Sequence, residues 1–196
     1  MRAVTRRSIK KAVEKGAEVR GIETEQELHE FHRIYLDTST RRGFNPLPYR
    51  LFKELWTQLE PRGLVKFFIV FWRKRPIAGI LNTFYQEQSV PYVACSLSRF
   101  WNLHPNHLLF WRSIEWSKEV AGSSILNIWH LPQKKDQTES VDYYTFKTSF
   151  GGILIEECAF YHKIVSRTRF KIFQLLNSSL PRMPKWFNPQ SAQNVL

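Results

Sequence analysis

Two cysteines, eight glycines and no apolar run near the ~20 residues of a membrane span set the first limits on this 196-residue chain. Cys95 and Cys158 both lie in strand-like apolar stretches, so buried free thiols are expected. A disulfide framework or a zinc site needs more ligands than these two. No charged-then-apolar leader stands before a small-residue cleavage site, which leaves nothing to mark export and makes a reducing cytoplasm the expected location. Acid is scarce where base gathers. Residues 163–187 hold six Lys/Arg and no Asp or Glu, and residues 1–20 hold seven against two, which leaves only +1 of the net +12 for everything between. A near-neutral body with basic ends suits contact with phosphate, of RNA or of anionic lipid; solvated basic faces without a partner are the plain alternative. With 43% hydrophobic and 15% aromatic residues the chain is globular, and its length suffices for one well-cored domain.

Periodicity supplies an element order. Arg6 to Gly16 reads as a short helix with Ile9, Ala12 and Val13 on one side, and Ala17 to Ile22 as a short strand. Thr24-Glu25-Gln26-Glu27 is a capping box opening a helix with Leu28, Phe31, Ile34 and Tyr35 at helical spacing, expected to end near Gly43. Asn45-Pro46-Leu47-Pro48 separates it from a second helix through Leu51, Phe52, Leu55, Trp56 and Leu59. Leu64 to Trp72, Ile77 to Tyr85 and Val90 to Leu97 form an antiparallel meander, with Arg73-Lys74-Arg75-Pro76 as its charged first turn. Pro105 suits the first position of a helix that runs to Ala121 and carries Leu108, Leu109, Trp111, Ile114 and Val120. Ser124 to Leu131 is a strand, a helix bears Lys147, and Ile153 to Val165 closes the sheet. The fold class is therefore α/β (α+β), a mixed, mostly antiparallel sheet flanked by helices.

The end of the chain differs in character. Phe170, Phe173 and Leu176 are spaced helically among Arg167, Arg169 and Lys171, and Pro181 and Pro184 lead to Trp186 and Phe187. Such a basic amphipathic segment, 166–187, either packs on its own domain or lies on a membrane surface. We divide the chain into a lobe, 1–165, and a basic C-terminal tail, 166–196.

One segment stands out. Tyr143-Tyr144-Thr145-Phe146-Lys147-Thr148-Ser149-Phe150-Gly151-Gly152 sets a single lysine among aromatics, where an ammonium needs an anion, a carbonyl oxygen or a ring face. Together with Arg7-Ser8-Ile9-Lys10-Lys11-Ala12, Thr38-Ser39-Thr40-Arg41-Arg42-Gly43-Phe44 and Pro105-Asn106-His107-Leu108-Leu109, it resembles the Fem-type branch of the GNAT acyltransferases, from about Arg6 to Val165. That branch includes the aminoacyltransferases of peptidoglycan cross-bridges. Its members carry two GNAT-like lobes in tandem, and this chain looks like the second lobe only, beginning at its own Met1: a truncated reading frame, half of a split protein, or a stand-alone relative.

The resemblance implies an acyl transfer in which an amine attacks an activated acyl carbon. The donor would be an aminoacyl-tRNA or another activated acyl compound, with no bound cofactor. The acceptor would be a small-molecule or lipid-linked amine, such as a cell-wall precursor. Lys147 is the catalytic candidate, placed to stabilise charge on the ester or on the terminal nucleotide; a surface lysine whose stem covers rings is the alternative. Arg42, or Arg41 beside it, resembles the arginine that holds an acceptor phosphate or carboxylate, against the plainer role of complementing a helix dipole. Asn106 and His107 open a helix whose N–H groups suit an anion, while His107 reads equally as a packed or capping residue. Tyr92 and Ser96 share a strand face bordering the acyl site, Phe146 flanks Lys147, and Tyr161 and His162 are weaker candidates.

Two departures from the family pattern carry expectations of their own. Acetyl-CoA-dependent relatives have a glycine-rich pyrophosphate loop where this chain has Ser98-Arg99-Phe100-Trp101-Asn102-Leu103-His104, so acetyl-CoA is not the expected donor. Asn127-Ile128-Trp129-His130 stands where relatives have an acidic residue and glycine. The alternative function is a non-catalytic lobe that binds tRNA or a partner lobe through its basic ends.

Overall fold

The computed structural model describes residues 1–119, 122–128, 138–155 and 165–179. Helix α1 (Ala3–Glu14) leads through Gly16, at φ 79°, into strand β1 (Ala17–Gly21). The capping box forms: the Glu27 N–H donates to Thr24 Oγ1 at 3.2 Å, and the Glu27 carboxylate accepts from the Glu23 N–H at 2.9 Å. It starts α2 (Glu25–Arg42), which Gly43 ends in the left-handed region at φ 67°. Then come α3 (Tyr49–Glu54), a π-helical stretch (Leu55–Leu59) and a 3₁₀ turn (Glu60–Arg62).

Strands β2 (Val65–Trp72), β3 (Arg75–Tyr85) and β4 (Gln88–Ser96) form the expected meander. A 3₁₀ helix (Ser98–Leu103) precedes α4 (Pro105–Glu119), and β5 (Ile125–Leu126), α5 (Thr138–Ser149) and α6 (Arg167–Ser179) follow. The sheet order is β1-β2-β3-β4-β5, antiparallel except for the parallel β4–β5 pair.

The sheet separates two cores. On one face α2 and α3 bury Phe31, Ile34, Tyr35 and Phe52 against Phe67, Ile69, Leu81 and Val93. Phe31 lies directly on the β3 backbone, where a Cβ on Gly79 would come within 2.4 Å of its ring, so the strand needs glycine there. On the other face α1 and α4 cover Phe68, Val70, Ala78 and Ile80, and Phe146, Phe150 and Ile128 pack alongside.

Several expectations need correction. The first hairpin turn is two residues long, and Pro76 lies inside β3 beside a bulge at Val70/Phe71, where a strand tolerates a missing N–H. On α4 the buried positions are Leu108, Leu109, Phe110, Ser113, Trp116 and Ser117, while Trp111 and Ile114 are half-buried, because the row facing the sheet steps through 109, 113, 116 and 117. Val13 faces solvent, and Thr5 with Ala12 is the buried side of α1. Of the expected strand Ser124–Leu131 only Ile125–Leu126 pairs among the described residues. Of Ile153–Val165, residues Ile153, Leu154 and Ile155 are exposed and pair with no described strand. Residues 129–131 and 156–164 lie outside the described residues, and with them Trp129, His130, Cys158, Tyr161 and His162. So does the tail beyond Ser179. Cys95 is buried as expected, which pushes its thiol pKa up.

Candidate active site

Among the described residues the last two strands of the sheet pair only briefly. β4 and β5 pair at Gln88↔Ile125 and Ser89↔Leu126, and the Asn127 N–H still reaches the Ser89 carbonyl at 2.9 Å. Beyond that point β4 runs on to Ser96 paired with β3 alone among the described strands, and Tyr92 and Ala94 are exposed. Tyr92 is the extra residue of a bulge, since Leu81 pairs with Val93 and Asn82 with Pro91. A bulge bends a strand and re-aims its side chains, a common feature beside functional clefts.

Lys147 lies next to this short pairing. It is in the last turn of α5 and is 2% exposed, so it is not a surface lysine. Its ammonium donates to the Ile128 carbonyl, just after β5, and sits 4.6 Å from the centroid of the Tyr143 ring, one helical turn earlier. Burial lowers its pKa to about 8. The group is thus charged at neutral pH yet close to titration. Arg42, in the last turn of α2, places its guanidinium 5.9 Å from the same Tyr143 ring. Burial raises the Tyr143 pKa, and the Arg42 charge opposes that rise. One aromatic ring therefore links the two cationic candidates, which are 105 positions apart in the numbering.

Arg41 is turned elsewhere. Its guanidinium donates to the Ser96 carbonyl at 2.9 Å and lies 4.8 Å from the Trp101 ring centroid. Ser96 gathers further bonds: its N–H donates to Thr38 Oγ1 at 3.2 Å, and its Oγ accepts from Trp101 Nε1 at 2.9 Å and Asn106 Nδ2 at 3.2 Å. The end of β4 is thereby tied to α2, to the 3₁₀ helix and to the start of α4.

His107 and Phe146 occupy a ring cluster. The His107 imidazole meets Phe146 at 5.0 Å and Phe150 at 6.0 Å, and Phe146 meets Phe110 at 5.0 Å. Burial lowers the His107 pKa to about 4, so the imidazole is neutral at pH 7. Among the described residues no group of three His, Cys, Asp or Glu side chains can hold a metal ion, and no helix is long and apolar enough to cross a membrane.

The structure thus brings Lys147 and Arg42 together through Tyr143 and sets Asn106 on Ser96, Phe146 and His107 half-buried in one ring cluster, and Tyr92 at a bulge. Sequence reasoning missed the Tyr143 bridge, which the i, i+4 spacing from Lys147 signals. It also missed the Ile128 carbonyl, a backbone atom that no motif marks.

The sequence profile described as the acetyltransferase (GNAT) domain matches residues 1–124, more than half of the chain. The chain belongs to this GNAT family. Solved structures agree on the fold. FemX superposes with a TM-score of 0.64 at 15% identity, covering 76% of this chain and 53% of FemX. This GNAT chain therefore spans about half of FemX's length. The aminoglycoside acetyltransferase AAC(6')-Iy, solved with a CoA-based bisubstrate analogue, gives 0.57 at 11% identity, covering 76% of this chain and 98% of the enzyme. An aminoglycoside acetyltransferase from an uncultured soil metagenomic sample, in complex with sisomicin, gives 0.56 at 11% identity over 78% and 99%. No curated protein matches the chain in sequence.

Proposed function

We propose that this GNAT domain is an N-acyltransferase of the Fem-like type, moving an aminoacyl or related acyl group from an activated ester to an amine. The observation that carries the reading is the buried Lys147 ammonium beside the short β4–β5 pairing, held by the Ile128 carbonyl and the Tyr143 ring. In the reaction a neutral amine attacks the acyl carbon and forms a C–N bond, the ester C–O bond breaks, and the proton lost by the amine is returned to the leaving alcohol. Negative charge on the carbonyl oxygen in the transition state is what a desolvated ammonium stabilises best. Arg42, across Tyr143, supplies a second positive charge for an acceptor phosphate or carboxylate, such as a cell-wall precursor carries.

An aminoacyl-tRNA fits this reading better than acetyl-CoA. The segment between β4 and α4 has no glycine and is wound into a 3₁₀ helix whose Phe100 and His104 N–H groups donate to Leu97 and Trp101 carbonyls. Those N–H groups are already used, whereas a pyrophosphate cradle needs them free. The test uses purified protein with charged tRNA and amine acceptors. Lys147→Ala is expected to lose about 10²–10³-fold in turnover with its circular dichroism unchanged. Unchanged turnover removes Lys147 from the mechanism, and efficient turnover of acetyl-CoA rejects the donor.

The half-length match to FemX favours a second reading: a lobe that works with a partner GNAT lobe, binding tRNA without completing catalysis alone. Transfer that appears only on adding a separate first lobe would select it. We place the protein in the cytoplasm. Peripheral contact with the inner membrane face through 166–187 is part of the proposal, since α6 exposes Ile172 and Leu175. Flotation on anionic liposomes that survives deletion of that segment rejects the contact.

A further inference from the structure

The end of the sheet where β2 turns into β3 carries a second cationic surface, assembled from three segments far apart in sequence. An open groove of about 630 Å³ is lined by Arg33 of α2, by Arg73, Lys74, Arg75 and Pro76 of the hairpin, by Arg99 of the 3₁₀ helix, and by Glu30. Five cations thus face one carboxylate, and Arg33 already engages Glu30 at 2.7 Å. The other four have no ion pair among the described residues, and all five are exposed.

The hairpin is built in a costly way. Arg73 and Lys74 are its only turn residues, and both have positive φ, 49° and 61°. A two-residue turn of this kind favours Asn-Gly, so two long cations occupy positions that small residues fill more easily. Strain of this sort points toward function when the residues concerned carry chemistry. The charge does not stop at the groove. Arg73 stacks on Trp72 at 4.4 Å, Trp72 meets Phe100 at 5.8 Å and donates its indole N–H to the Lys15 carbonyl at 2.9 Å, and Arg99 lies 5.1 Å from the Phe100 ring. Trp72 and Phe100 are half-buried and lie outside the groove lining, so their rings hold Arg73 and Arg99 in place, and the cations they hold match the regularly spaced phosphates of a nucleic-acid backbone.

We propose that this groove is a docking surface for the phosphodiester backbone of RNA. The inference rests on the tRNA part of the proposed function and gives RNA a surface of its own, while its test reads binding and not turnover. Anisotropy of a fluorescein-labelled RNA hairpin, titrated with the full chain over a range of salt, tests it. The decisive variant is Arg73→Asn with Lys74→Gly, which installs the favoured turn and removes two cations while keeping the fold. Its control, Arg62→Gln with Lys118→Gln, removes the same charge from exposed positions outside both the groove and the basic ends. The turn variant is expected to bind about 10-fold or more weakly, with the slope of log K against log salt reduced by about 2. The control is expected to retain both affinity and slope.

Equal losses in the two variants would reduce the effect to net charge and overturn the proposal. Absent or salt-insensitive binding overturns it too. Loss of binding to phosphatidylserine vesicles with RNA binding intact would assign the groove to membrane instead. Absence of acyl transfer, with RNA binding behaving as expected, would sink the catalytic reading and leave this surface standing.

Discussion

The two faces of the sheet are built to different rules. The face under α2 and α3 is a dry aromatic assembly in which Phe31, Phe52 and Phe67 meet at ring distances of 5.4 to 6.4 Å. The face under α1, α4 and α5 holds most of the buried polar chemistry: Thr5, Asn82, Ser113, Ser117, Lys147 and Ser149. Asn82 follows Leu81 of the α2 side, so alternation turns it toward α4, and among the described residues its amide N and O atoms have no hydrogen-bond partner. The same holds for the Ser89 and Ser117 hydroxyls among those residues. One face minimises its free energy by packing. The other accepts unpaired polar atoms and a desolvated ammonium, a trade that natural proteins make at functional sites.

That contrast can be broken by mutation. Phe31→Ala should have the largest effect, lowering stability by about 3–5 kcal/mol in urea unfolding while leaving the Lys147 pKa in place. A smaller loss would mean that the α2 face collapses around the gap. His107 tests the opposite face through pH. Its folded pKa of about 4 lies below the ~6.5 of the unfolded chain, so the unfolded state binds more protons in that interval. Stability from this group is full above pH ~6.5 and falls as pH drops toward 4, by up to about 3 kcal/mol. His107→Gln should flatten that part of the stability–pH curve, and an unchanged curve would show an exposed imidazole.

Asn82→Leu should raise stability by about 1–2 kcal/mol, because an apolar group replaces unpaired polar atoms. Destabilisation instead would reveal a partner for Asn82 in solution. Lys147→Arg gives the finest distinction. With a pKa of about 8 the wild-type ammonium loses its proton as pH rises, so the rate should decline above pH 8 by up to about tenfold per unit. Arginine stays charged, so the variant should lack that alkaline limb at reduced overall rate. Should the limb persist, it belongs to another group.

Much of the scaffold was legible because its signals are local. Thr24 and Glu27 announce a cap, Gly43 an ending, and apolar, β-branched and aromatic runs between Leu64 and Leu97 three strands; each needs only neighbours within a few residues. The corrections fall where neighbours are distant. Arg41 and Arg42 are adjacent in sequence but about 100° apart around a helix. Only the assembled fold sends one to Ser96 and Trp101 and the other to Tyr143. Ser124–Leu131 reads as a strand from its composition, yet pairing limits it to Ile125–Leu126 among the described residues, since a strand lasts only as long as its partner stays alongside.

By itself, then, the order of residues determined the elements from the first helix through the three-strand meander to α4, the apolar stripes and the presence of one lysine in an aromatic helix turn. Tertiary structure decided that this lysine is buried, that its proton is held near pH 8, and that five scattered cations share a groove. The reason is physical. Periodicity and capping act over a few bonds, whereas desolvation and charge proximity depend on distances in space between residues that the chain keeps far apart.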